Sequence, residues 1–528
     1  MQQGALDPFR GFLRGDPTRG PDEAHAPDAR FADPARIVRE PVAQWRPGSP
    51  RLFLGLVGGD VTGPPGKGRH ILNGTPIGIE DDRHVCTFAG SRAGKGRSAI
   101  VPNMLHWPGS VLATDPKGEL AAITAQQRKR LGQAVHVLDP FDVTAGTHAA
   151  PFAAGFNPIA AMRPDSFIED AALIADALVV VEGSDPHWDE SARAFIEGVI
   201  LHVCTWPAFD DGRDLFALQD LIAKGAPDAN PKALGGFSMD ALEDDMLQNS
   251  AAGGVIQSAA STLFSKPEKE RESVLSSARR HLKFLDLFRQ SDSSRRTIRA
   301  DGFRLESLKL KPTTVYLCLP ARHIGTCGRW LRLFVNLALQ AMERTNASGL
   351  PGGASVLFVL DEFASLGHMQ QIENAAGQIA GFGVKLWPVL QDIGQLQALY
   401  RNRWETFLGN AGLLQFFGNT DLGTLEWLSK RLGSTTIRVP TDRPKTSAEG
   451  GKGLPGEAWA NQTVKLLELD EAARLFGRDD AQRRQLVLWG GQPPLVLQRA
   501  HYDTHGLFRD RDDRPLFDPP PATVGVGR

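Results

Sequence analysis

A glycine-rich segment near residue 90 contains the first side chain that could contact a nucleotide. The apolar run His84–Phe88 leads into Ala89-Gly90-Ser91-Arg92-Ala93-Gly94-Lys95-Gly96-Arg97-Ser98, and a helical pattern begins at Ala99. Backbone N–H groups in such a turn can surround a phosphate, the helix N-terminus adds its positive end, and a lysine reaches the outer phosphate oxygens. We therefore predict that this glycine-rich loop (residues 90–98) binds nucleotide phosphates through Lys95. The predicted nucleotide-binding residues are Gly90, Ser91, Arg92, Ala93, Gly94, Lys95, Gly96, Arg97 and Ser98.

The glycine-rich loop departs from the general pattern GxxxxGK[ST] at two positions. Ala89 stands where the first glycine is expected, and Gly96 stands where a Ser or Thr hydroxyl normally contacts magnesium. Ser98 is our candidate for that hydroxyl. The alternative interpretation is an ordinary glycine-rich turn between a strand and a helix.

Two adjacent acids end another apolar run. Ser355–Leu360 is followed directly by Asp361 and Glu362. In nucleotide hydrolases an Asp at a strand end holds magnesium and the next carboxylate polarises the attacking water, so we predict these roles for Asp361 and Glu362. The alternative is that the pair only caps the following helix.

Polar residues also follow two other apolar runs. Gln391 comes after Val384–Leu390, and we predict that it senses the γ-phosphate, the alternative being a cap of the next helix. Asp115 and Lys117 follow Ser110–Thr114, at what would be the carboxyl edge of a sheet. Lys117 either approaches a phosphate or forms an ion pair with Asp115 or a nearby glutamate. The predicted catalytic residues are Lys95, Asp361, Glu362 and Gln391, and the predicted metal ligands are Asp361 and Ser98.

Apolar runs of strand type alternate with helical patterns along much of the chain. Continuous apolar strands that alternate with helices indicate a mainly parallel sheet buried on both faces, so the predicted fold class is α/β. The runs are His84–Phe88, Ser110–Thr114, Ala134–Leu138, Thr313–Leu319, Ser355–Leu360, Val384–Leu390 and Leu413–Phe417.

The alternation is interrupted by amphipathic helical patterns, which predict an inserted all-helical domain over residues 161–310. This insertion explains why Lys95 and Asp361 are so far apart in the chain. The nucleotide-binding domain then has two parts, 51–160 and 311–505. Residues 1–50 are rich in Pro, Asp and Arg without periodicity, which predicts a mobile N-terminal arm, and residues 506–528 are predicted to form a C-terminal tail.

Composition and charge exclude several classes of protein. The net charge of −2 provides no global attraction for nucleic acid, so a DNA contact would need a local patch. Basic residues outnumber acidic ones over 265–311, and a solvated helix face is the alternative interpretation of that excess. The four cysteines form no CxxC pair, which argues against a zinc ribbon and suits a reducing cytosol. With no run of about 20 apolar residues, we expect no transmembrane helix.

Several motifs, in this order, resemble those of TraG-type coupling proteins of conjugation and type IV secretion. The resemblance covers roughly residues 84–435, with a weaker trace through Arg484–Tyr502, and it accounts for Gly96, because a glycine follows the lysine in that family. The motifs are Ala93-Gly94-Lys95-Gly96 with Ile100–Asn103, Thr114–Leu120, Val137–Phe141 with Phe156–Pro158, Leu360–Gly367, and Trp404–Ala411 with Phe416–Gly418.

The resemblance implies a RecA-like P-loop NTPase domain, an all-helical domain that meets the substrate or relaxase, ATP and Mg²⁺ as ligands, and a homo-hexamer around a channel. It also implies an ATPase that drives DNA, nucleoprotein or effector protein into a type IV secretion channel. The expected partners are single-stranded DNA with its relaxase, or a secreted protein, and the type IV secretion components. Family members usually begin with transmembrane helices, whereas we expect none in this chain. We therefore expect the protein to be cytoplasmic and held at the inner membrane by a partner.

Two other functions stay open from the sequence. An FtsK-like DNA pump is disfavoured by the Asp-Pro-Lys-Gly-Glu and Phe-Ala-Ser-Leu-Gly signatures. A nucleotide-gated platform that recruits cargo with little turnover stays open, because the predicted helix His368–Ala380 carries no arginine that could act in trans and no membrane anchor is expected. Arg401 and Arg403 are the candidates for that arginine.

Overall fold

The computed structural model describes residues 28–64, 68–181, 186–229, 236–347, 349–441 and 458–520. The chain forms two compact units. Unit 1 consists of Met1–Trp107 and Leu386–Leu516, and unit 2 consists of Pro108–Lys385 and Phe517–Arg528. The strands of unit 1 come from both of its segments, whereas the strands described for unit 2 all lie within Pro108–Lys385.

The strands of the described residues are numbered in chain order. They are β1 (Leu52–Val57), β2 (Asp60–Thr62), β3 (His70–Leu72), β4 (Thr75–Ile79), β5 (His84–Ala89), β6 (Val111–Thr114), β7 (Ala134–Leu138), β8 (Ala226–Pro227), β9 (Phe237–Ser238), β10 (Thr313–Leu317), β11 (Val356–Leu360), β12 (Val384–Leu390), β13 (Ala411–Phe417), β14 (Ser434–Thr441), β15 (Ala458–Lys465), β16 (Arg484–Trp489) and β17 (Leu495–Gln498).

The α-helices of the same residues also follow in chain order. They are α1 (Pro34–Ile37), α2 (Val101–His106), α3 (Glu119–Arg130), α4 (Phe167–Leu178), α5 (His187–Thr205), α6 (Leu215–Lys224), α7 (Met239–Gln248), α8 (Val255–Phe264), α9 (Glu268–Leu282), α10 (Leu285–Phe288), α11 (Asp292–Arg299), α12 (Ser307–Leu310), α13 (Ala321–Arg344), α14 (Gln370–Gln378), α15 (Ile393–Tyr400), α16 (Trp404–Gly409), α17 (Leu422–Leu432) and α18 (Leu469–Leu475).

The sheet of unit 1 has the strand order β4-β1-β17-β16-β13-β5-β12. β5 is parallel to β13 and to β12, with Phe88 opposite Phe416 and Leu390. The other neighbours, from β13 outward to β4, are antiparallel. Every residue of β5 and β13 is buried, as expected for parallel strands covered on both faces. The carboxyl ends of β5, β12 and β13 therefore meet at one edge of this sheet.

The sheet of unit 2 has the strand order β11-β6-β10-β7, and all of its neighbours are parallel. β10 lies between β6 and β7, so the chain leaves the sheet after β7 and returns to its middle. The intervening helices α4 to α12 lie within the range predicted for the insert. Among the residues of that range that the structure describes, only the short antiparallel pair of β8 and β9 departs from an all-helical insert. Each of the seven apolar runs named above forms a strand.

Residues 28–50 are packed against the rest of unit 1 and do not form the mobile arm that the sequence suggested. Main-chain N–H groups of Ala29 and Ala32 donate to the carbonyls of Ser434 and Pro494, at 3.1 and 2.9 Å. The Trp45 ring is buried and lies edge-on to Phe53. A few isolated apolar side chains among prolines hold this segment, which leaves no periodic signal in the sequence. Residues 1–27 of the predicted arm lie outside the described residues.

The predicted C-terminal tail is likewise packed over its first half. Phe508 is fully buried, and the N–H of Leu516 donates to its carbonyl at 3.0 Å. The buried ring of Phe508 stands among charged and proline residues, so composition alone indicates a tail. Residues 521–528 lie outside the described residues.

Candidate functional site

The glycine-rich loop makes a tight turn between β5 and α2. Gly94 has a φ of 92° and Arg92 a φ of 58°, both in the left-handed region. A π-helical turn, Gly96–Ile100, begins directly after Lys95 and continues into α2. Such turns are rare and occur frequently at functional sites. The loop therefore places the backbone N–H groups after Gly94 at the start of a helix, as phosphate binding requires.

Two glycines are needed here for space and one for its backbone conformation. A Cβ atom on Gly90 would lie 1.8 Å from the carbonyl oxygen of Gly418, just after β13. A Cβ atom on Gly418 would lie 2.4 Å from the Cβ of Ala93. A Cβ atom on Gly94 would meet no atom within 4 Å, so that glycine is required by its positive φ alone. The loop and the end of β13 thus pack backbone to backbone.

Ser98 faces the inside of the loop. It is 2% exposed, and its hydroxyl donates to the carbonyl of Gly94 at 2.9 Å. The main-chain N–H of Ser98 donates to the same carbonyl. The hydroxyl proton is therefore used within the loop, and only the oxygen lone pairs remain for a cation.

A buried arginine, which the sequence did not reveal, supports the loop from behind. Arg499 directly follows β17 and is 1% exposed. Its guanidinium donates to the carbonyls of Ala93, Arg483 and Gly477, at 2.7, 3.3 and 3.4 Å, and lies 4.9 Å from the centroid of the Phe417 ring. Burial lowers the pKa of Arg499 to about 10, so it stays a cation at neutral pH. It fixes the loop backbone and adds positive charge behind it.

The residues after Arg499 hold the same loop. The N–H of Tyr502 donates to the carbonyl of Arg97 at 3.1 Å, and the Arg97 guanidinium pairs with Asp503 at 2.8 Å. Tyr502 and Asp503 thus hold Arg97 in the glycine-rich loop. This contact gives a structural reason why the resemblance to the family extends through Arg484–Tyr502. In the sequence, the available signal for Arg499 was its position as a charged residue directly after the short apolar run Leu495–Gln498. Nothing near it in the sequence connects it to the glycine-rich loop, about 400 residues earlier.

Gln391, at the carboxyl end of β12, lies at the same edge of unit 1. The cap of α15 is Asp392, whose carboxylate accepts from the N–H of Gln395 at 2.8 Å, so the alternative role of Gln391 as a cap is filled by its neighbour. The Asn419 amide donates to the Gln391 carbonyl at 2.9 Å. Gln391, Asn419, Gly90 and further residues line a cavity of about 890 Å³, within the usual range of ligand pockets.

In unit 2, four strands end side by side in an acidic row, which we define as Asp361, Asp115, Cys318 and Asp139. Each residue directly follows its strand, in the order β11, β6, β10 and β7. The Thr114 hydroxyl donates to the Asp361 carbonyl at 2.8 Å, and the Cys318 sulfur lies 4.0 Å from the Asp115 carboxylate. Parallel pairing in register therefore brings the motifs Thr114–Leu120 and Val137–Phe141 to the same sheet edge as Asp361 and Glu362.

Asp115 and Asp139 use their carboxylates to order the chain after each strand. Asp115 is 2% exposed and accepts from the N–H of Ala121 in α3 at 2.9 Å. Burial raises its pKa to about 7 in spite of the backbone hydrogen bonds, and the charge of Asp361 adds to that rise. Asp139 accepts from the N–H and the hydroxyl of Thr144, both at 2.7 Å. Lys117 is exposed, and within the described residues it pairs with neither acid considered for it.

Asp361 and Glu362 occupy a strained turn after β11. Both are partly exposed, and Asp361 accepts from the N–H of Glu362 at 3.0 Å. Glu362 has a φ of 51°, which is uncommon for a residue with a side chain and is found often at functional sites. In the described structure, the Glu362 side chain makes no cap hydrogen bond to the 3-10 turn Phe363–Leu366 that follows. A cap by Glu362 therefore does not explain the pair.

The predicted site residues thus divide between the two units. Unit 1 brings the glycine-rich loop and Gln391 to the carboxyl ends of β5 and β12. Unit 2 places Asp361 and Glu362 at the end of the acidic row. Within the described residues, no cluster of three or more His, Cys, Asp or Glu side chains forms a ready metal cage.

Part of the basic excess over residues 265–311 is engaged inside the helical insert. Arg280 pairs at 2.5 Å with Asp189, a buried carboxylate that also contacts His281 at 2.9 Å. Arg279 donates to the carbonyl of Ile222 at 3.1 Å. These arginines hold helices together, so the charge excess over the run does not by itself mark a nucleic-acid surface.

No helix within the described residues combines the length and the apolar character needed to cross a membrane.

Comparison with known proteins gives a consistent result. The family model described as type IV secretory system conjugative DNA transfer matches residues 55–517. Protein VirD4 of Rhizobium rhizogenes is 28% identical over 487 residues, which cover 89% of this chain and 65% of that protein. The conjugal transfer protein TraG of Escherichia coli is 30% identical over 457 residues, which cover 81% of this chain and 68% of that protein. The chain thus spans about 65% of the length of its VirD4 relative.

Solved structures share the fold. The unbound bacterial conjugative coupling protein TrwBdeltaN70 aligns with a TM-score of 0.60 at 16% identity, over 94% of this chain and 97% of that one. The plasmid coupling protein TrwB in complex with ADP and Mg²⁺ aligns with a TM-score of 0.59 at 15% identity, over 94% and 99%. At such identities the likeness is one of fold.

Proposed function

We propose that this chain, which belongs to the type IV secretory system conjugative DNA transfer family, hydrolyses ATP to drive DNA, nucleoprotein or effector protein into a type IV secretion channel. The observation that carries the proposal is the glycine-rich loop, in which a left-handed Gly94 and a π-helical turn after Lys95 form a phosphate cradle with the buried Arg499 behind it. In such a loop, main-chain N–H groups and the positive end of the helix N-terminus favour the binding of phosphate.

The residues of unit 1 would bind the nucleotide. Lys95 contacts the outer phosphates, the main-chain N–H groups from Gly94 to Arg97 surround them, and Gln391 senses the γ-phosphate. TrwB has been solved in complex with the ATP analogue ADPNP and in complex with ADP and Mg²⁺, which supports ATP and magnesium as the ligands. The cavity beside Gly90 has room for the remainder of the nucleotide.

The residues of unit 2 would serve the chemical step. Asp361 fits magnesium, because it is a partly exposed carboxylate and this ion prefers oxygen ligands. The Ser98 hydroxyl would add a second oxygen ligand, because its hydrogen bond to the Gly94 carbonyl engages the proton and leaves the oxygen lone pairs for the ion. Bound magnesium would neutralise charge on the phosphate oxygens. Glu362, held at a positive φ, orients the attacking water and accepts its proton.

The proposed partners follow from the family. We propose single-stranded DNA with its relaxase, or a secreted protein, as the cargo, and the type IV secretion components as the machinery. The active form is proposed to be a homo-hexamer. The proposed place of work is the cytoplasmic face of the inner membrane, where ATP is available and where a partner would hold the protein.

Steady-state ATP hydrolysis tests the proposal. We expect hydrolysis that needs magnesium and rises with single-stranded DNA and with protein concentration. Lys95→Ala and Glu362→Gln should each slow it by about two to three orders of magnitude. Lys430→Ala and Glu426→Gln, at exposed positions of α17, are the matched controls and should leave the rate unchanged.

The same assay separates the two other functions. A rate that responds to neither Lys95→Ala nor Glu362→Gln would refute the hydrolase. Tight nucleotide binding with negligible turnover would favour a recruitment platform. Stronger stimulation by double-stranded than by single-stranded DNA would favour an FtsK-like pump.

A further inference from the structure

A polar crevice lies in unit 2 among α4, α5, α13 and α14. Its volume is about 630 Å³, and its lining includes no residue of the acidic row. The face of α13 that lines it carries Asn336, Gln340 and Glu343, at helical spacing, where a helix packed against others usually carries apolar residues. The crevice is therefore a polar gap between packed helices.

The floor of this crevice contains an amide that lacks its hydrogen bonds. Asn336 is 1% exposed, and within the described residues neither its amide oxygen nor its amide nitrogen has a partner. The amide nitrogen of Gln340, one turn later, is also buried without a partner among those residues. Buried polar groups are nearly always hydrogen-bonded, and an unpaired one destabilises the fold. These side chains are therefore placed to bond a group that enters the crevice.

The crevice has an excess of negative charge. Its lining carries more carboxylates than arginines. Arg193 pairs with Asp176 at 3.2 Å and Arg344 pairs with Glu169 at 2.6 Å, so both arginines are already engaged. In the described structure Glu197 and Glu343 have no cation beside them at ion-pair distance, and burial raises the pKa of Glu197. A cationic ligand would complete this set, whereas the phosphates of DNA would be repelled.

We propose that this crevice binds the guanidinium or ammonium groups of a basic protein segment. Glu197 and Glu343 supply the negative charge for the cation. Asn336 and Gln340 supply an acceptor and donors for the groups around it, including the main chain of the segment. A gap of this size accommodates one or two long side chains, which suits a short peptide rather than a folded domain.

The helix α13 connects the crevice to the segment that follows Asp361 and Glu362. Arg332, one turn before Asn336 on α13, donates to the carbonyls of Leu366 and His368 at 3.1 and 2.5 Å. Leu366 is the last residue of the 3-10 turn that follows Glu362, and His368 lies just beyond its C-cap. A segment bound in the crevice is therefore expected to change the rate of hydrolysis. This second effect rests on the proposed function, whereas binding does not.

Binding is tested by fluorescence anisotropy with the full chain and a fluorescein-labelled peptide of alternating arginine and glycine. We expect saturable binding that weakens about tenfold in the double variant Glu197→Gln with Glu343→Gln, and about tenfold in Asn336→Leu. Glu190→Gln, at an exposed position two turns earlier on α5, is the matched control and should bind as the parent does. The same peptide with glutamate in place of arginine should not bind.

Thermal unfolding of Asn336→Leu separates a ligand site from a structural one. Because the amide is unpaired, its replacement by an apolar side chain of similar size should preserve or raise the melting temperature while it weakens peptide binding. Equal loss of affinity in Glu190→Gln and in the crevice variants would overturn the proposal, since general charge attraction would then explain binding. Displacement of the peptide by spermidine at equal concentration would overturn it too, in favour of a small polyamine.

A second readout tells the two proposals apart. If the peptide binds and the crevice variants weaken it, but no ATP hydrolysis is detected, the crevice stands and the proposed hydrolase fails. If hydrolysis depends on Lys95 and Glu362 but the peptide binds equally to every variant, the hydrolase stands and the crevice fails.

Discussion

The glycine-rich loop of unit 1 and the acidic row of unit 2 hold polar groups by different means. The loop relies on backbone conformation, on close approach to Gly418, and on three hydrogen bonds from the buried Arg499 to main-chain carbonyls. The acidic row relies on carboxylates that accept main-chain N–H groups, as Asp115 and Asp139 do. The loop offers main-chain N–H groups to a ligand, whereas the buried carboxylates of the acidic row accept N–H groups of the protein itself.

The difference shows why a ligand site has to be recognised by different evidence in the two regions. In the loop, the glycines are required by the same geometry that would bind phosphate, so structure and function point to the same residues. In the acidic row, a carboxylate at a strand end is already employed in ordering the next turn. Only Asp361 is left partly exposed among the three acids, and it stands beside Glu362 at a positive φ. An acid at the end of a strand therefore indicates a metal site only weakly, unless its carboxylate is also exposed to the ligand.

The largest effect is expected from glycine substitutions in the loop. Gly90→Ala places a methyl group 1.8 Å from a carbonyl oxygen and should cost at least about 3 kcal/mol of unfolding free energy. Gly94→Ala meets no atom but must adopt a φ of 92°, at a cost of about 1–2 kcal/mol. Gly96→Ala has neither problem and should be close to neutral. Urea unfolding measures the series, and any other order would contradict the backbone account.

A smaller effect is expected at Arg499, for which unit 2 offers a matched control. Arg128 is also fully buried, and its guanidinium donates to the Gly109 carbonyl and to Gln133, at 2.7 and 2.6 Å. Arg499→Met and Arg128→Met should each lose about 2–3 kcal/mol of stability, because buried carbonyls lose a charged donor. Only Arg499→Met should also weaken nucleotide binding, by about tenfold. Equal weakening in both variants would show that Arg499 acts through general stability.

The smallest effect is expected within the acidic row and depends on pH. The pKa of Asp115 is raised to about 7 from an ordinary value of 3.8, so the folded state binds its proton more tightly than the unfolded state. Its contribution to stability is full below pH 4 and is lost as pH rises towards 7. Asp115→Asn removes this loss and should gain about 1–2 kcal/mol relative to the parent at pH 5.

Asp139→Asn is the contrasting variant. Its amide nitrogen would face the N–H and hydroxyl donors of Thr144, so it should be less stable than the parent across the same pH range. Urea unfolding in magnesium-free buffer at several pH values compares the three proteins. Parallel curves for the parent and Asp115→Asn would contradict the assigned protonation.

Local patterns explain what the sequence predicted well. The seven apolar runs are long enough to mark parallel strands, so the α/β fold with its RecA-like core and helical insert is confirmed. The resemblance to TraG-type coupling proteins is confirmed as well, because ordered motifs survive at low identity. The roles of Lys95, Asp361, Glu362, Gln391 and Ser98 remain predictions.

Long-range contacts explain what the sequence could not predict. Arg499 contacts the loop from about 400 residues away, and no local feature connects them. β1, β4, β16 and β17 form antiparallel neighbours outside the parallel core, where short strands resemble loops in the sequence. Residues 28–50 pack through isolated side chains such as Trp45, which composition does not reveal.

Direct titration of the full chain with a non-hydrolysable ATP analogue and magnesium, followed by calorimetry, tests most directly whether the glycine-rich loop binds phosphates. We expect binding to one site per chain, weakened about a hundredfold by Lys95→Ala and unchanged by Lys430→Ala. Equal affinity in the parent and Lys95→Ala would contradict phosphate binding by this loop.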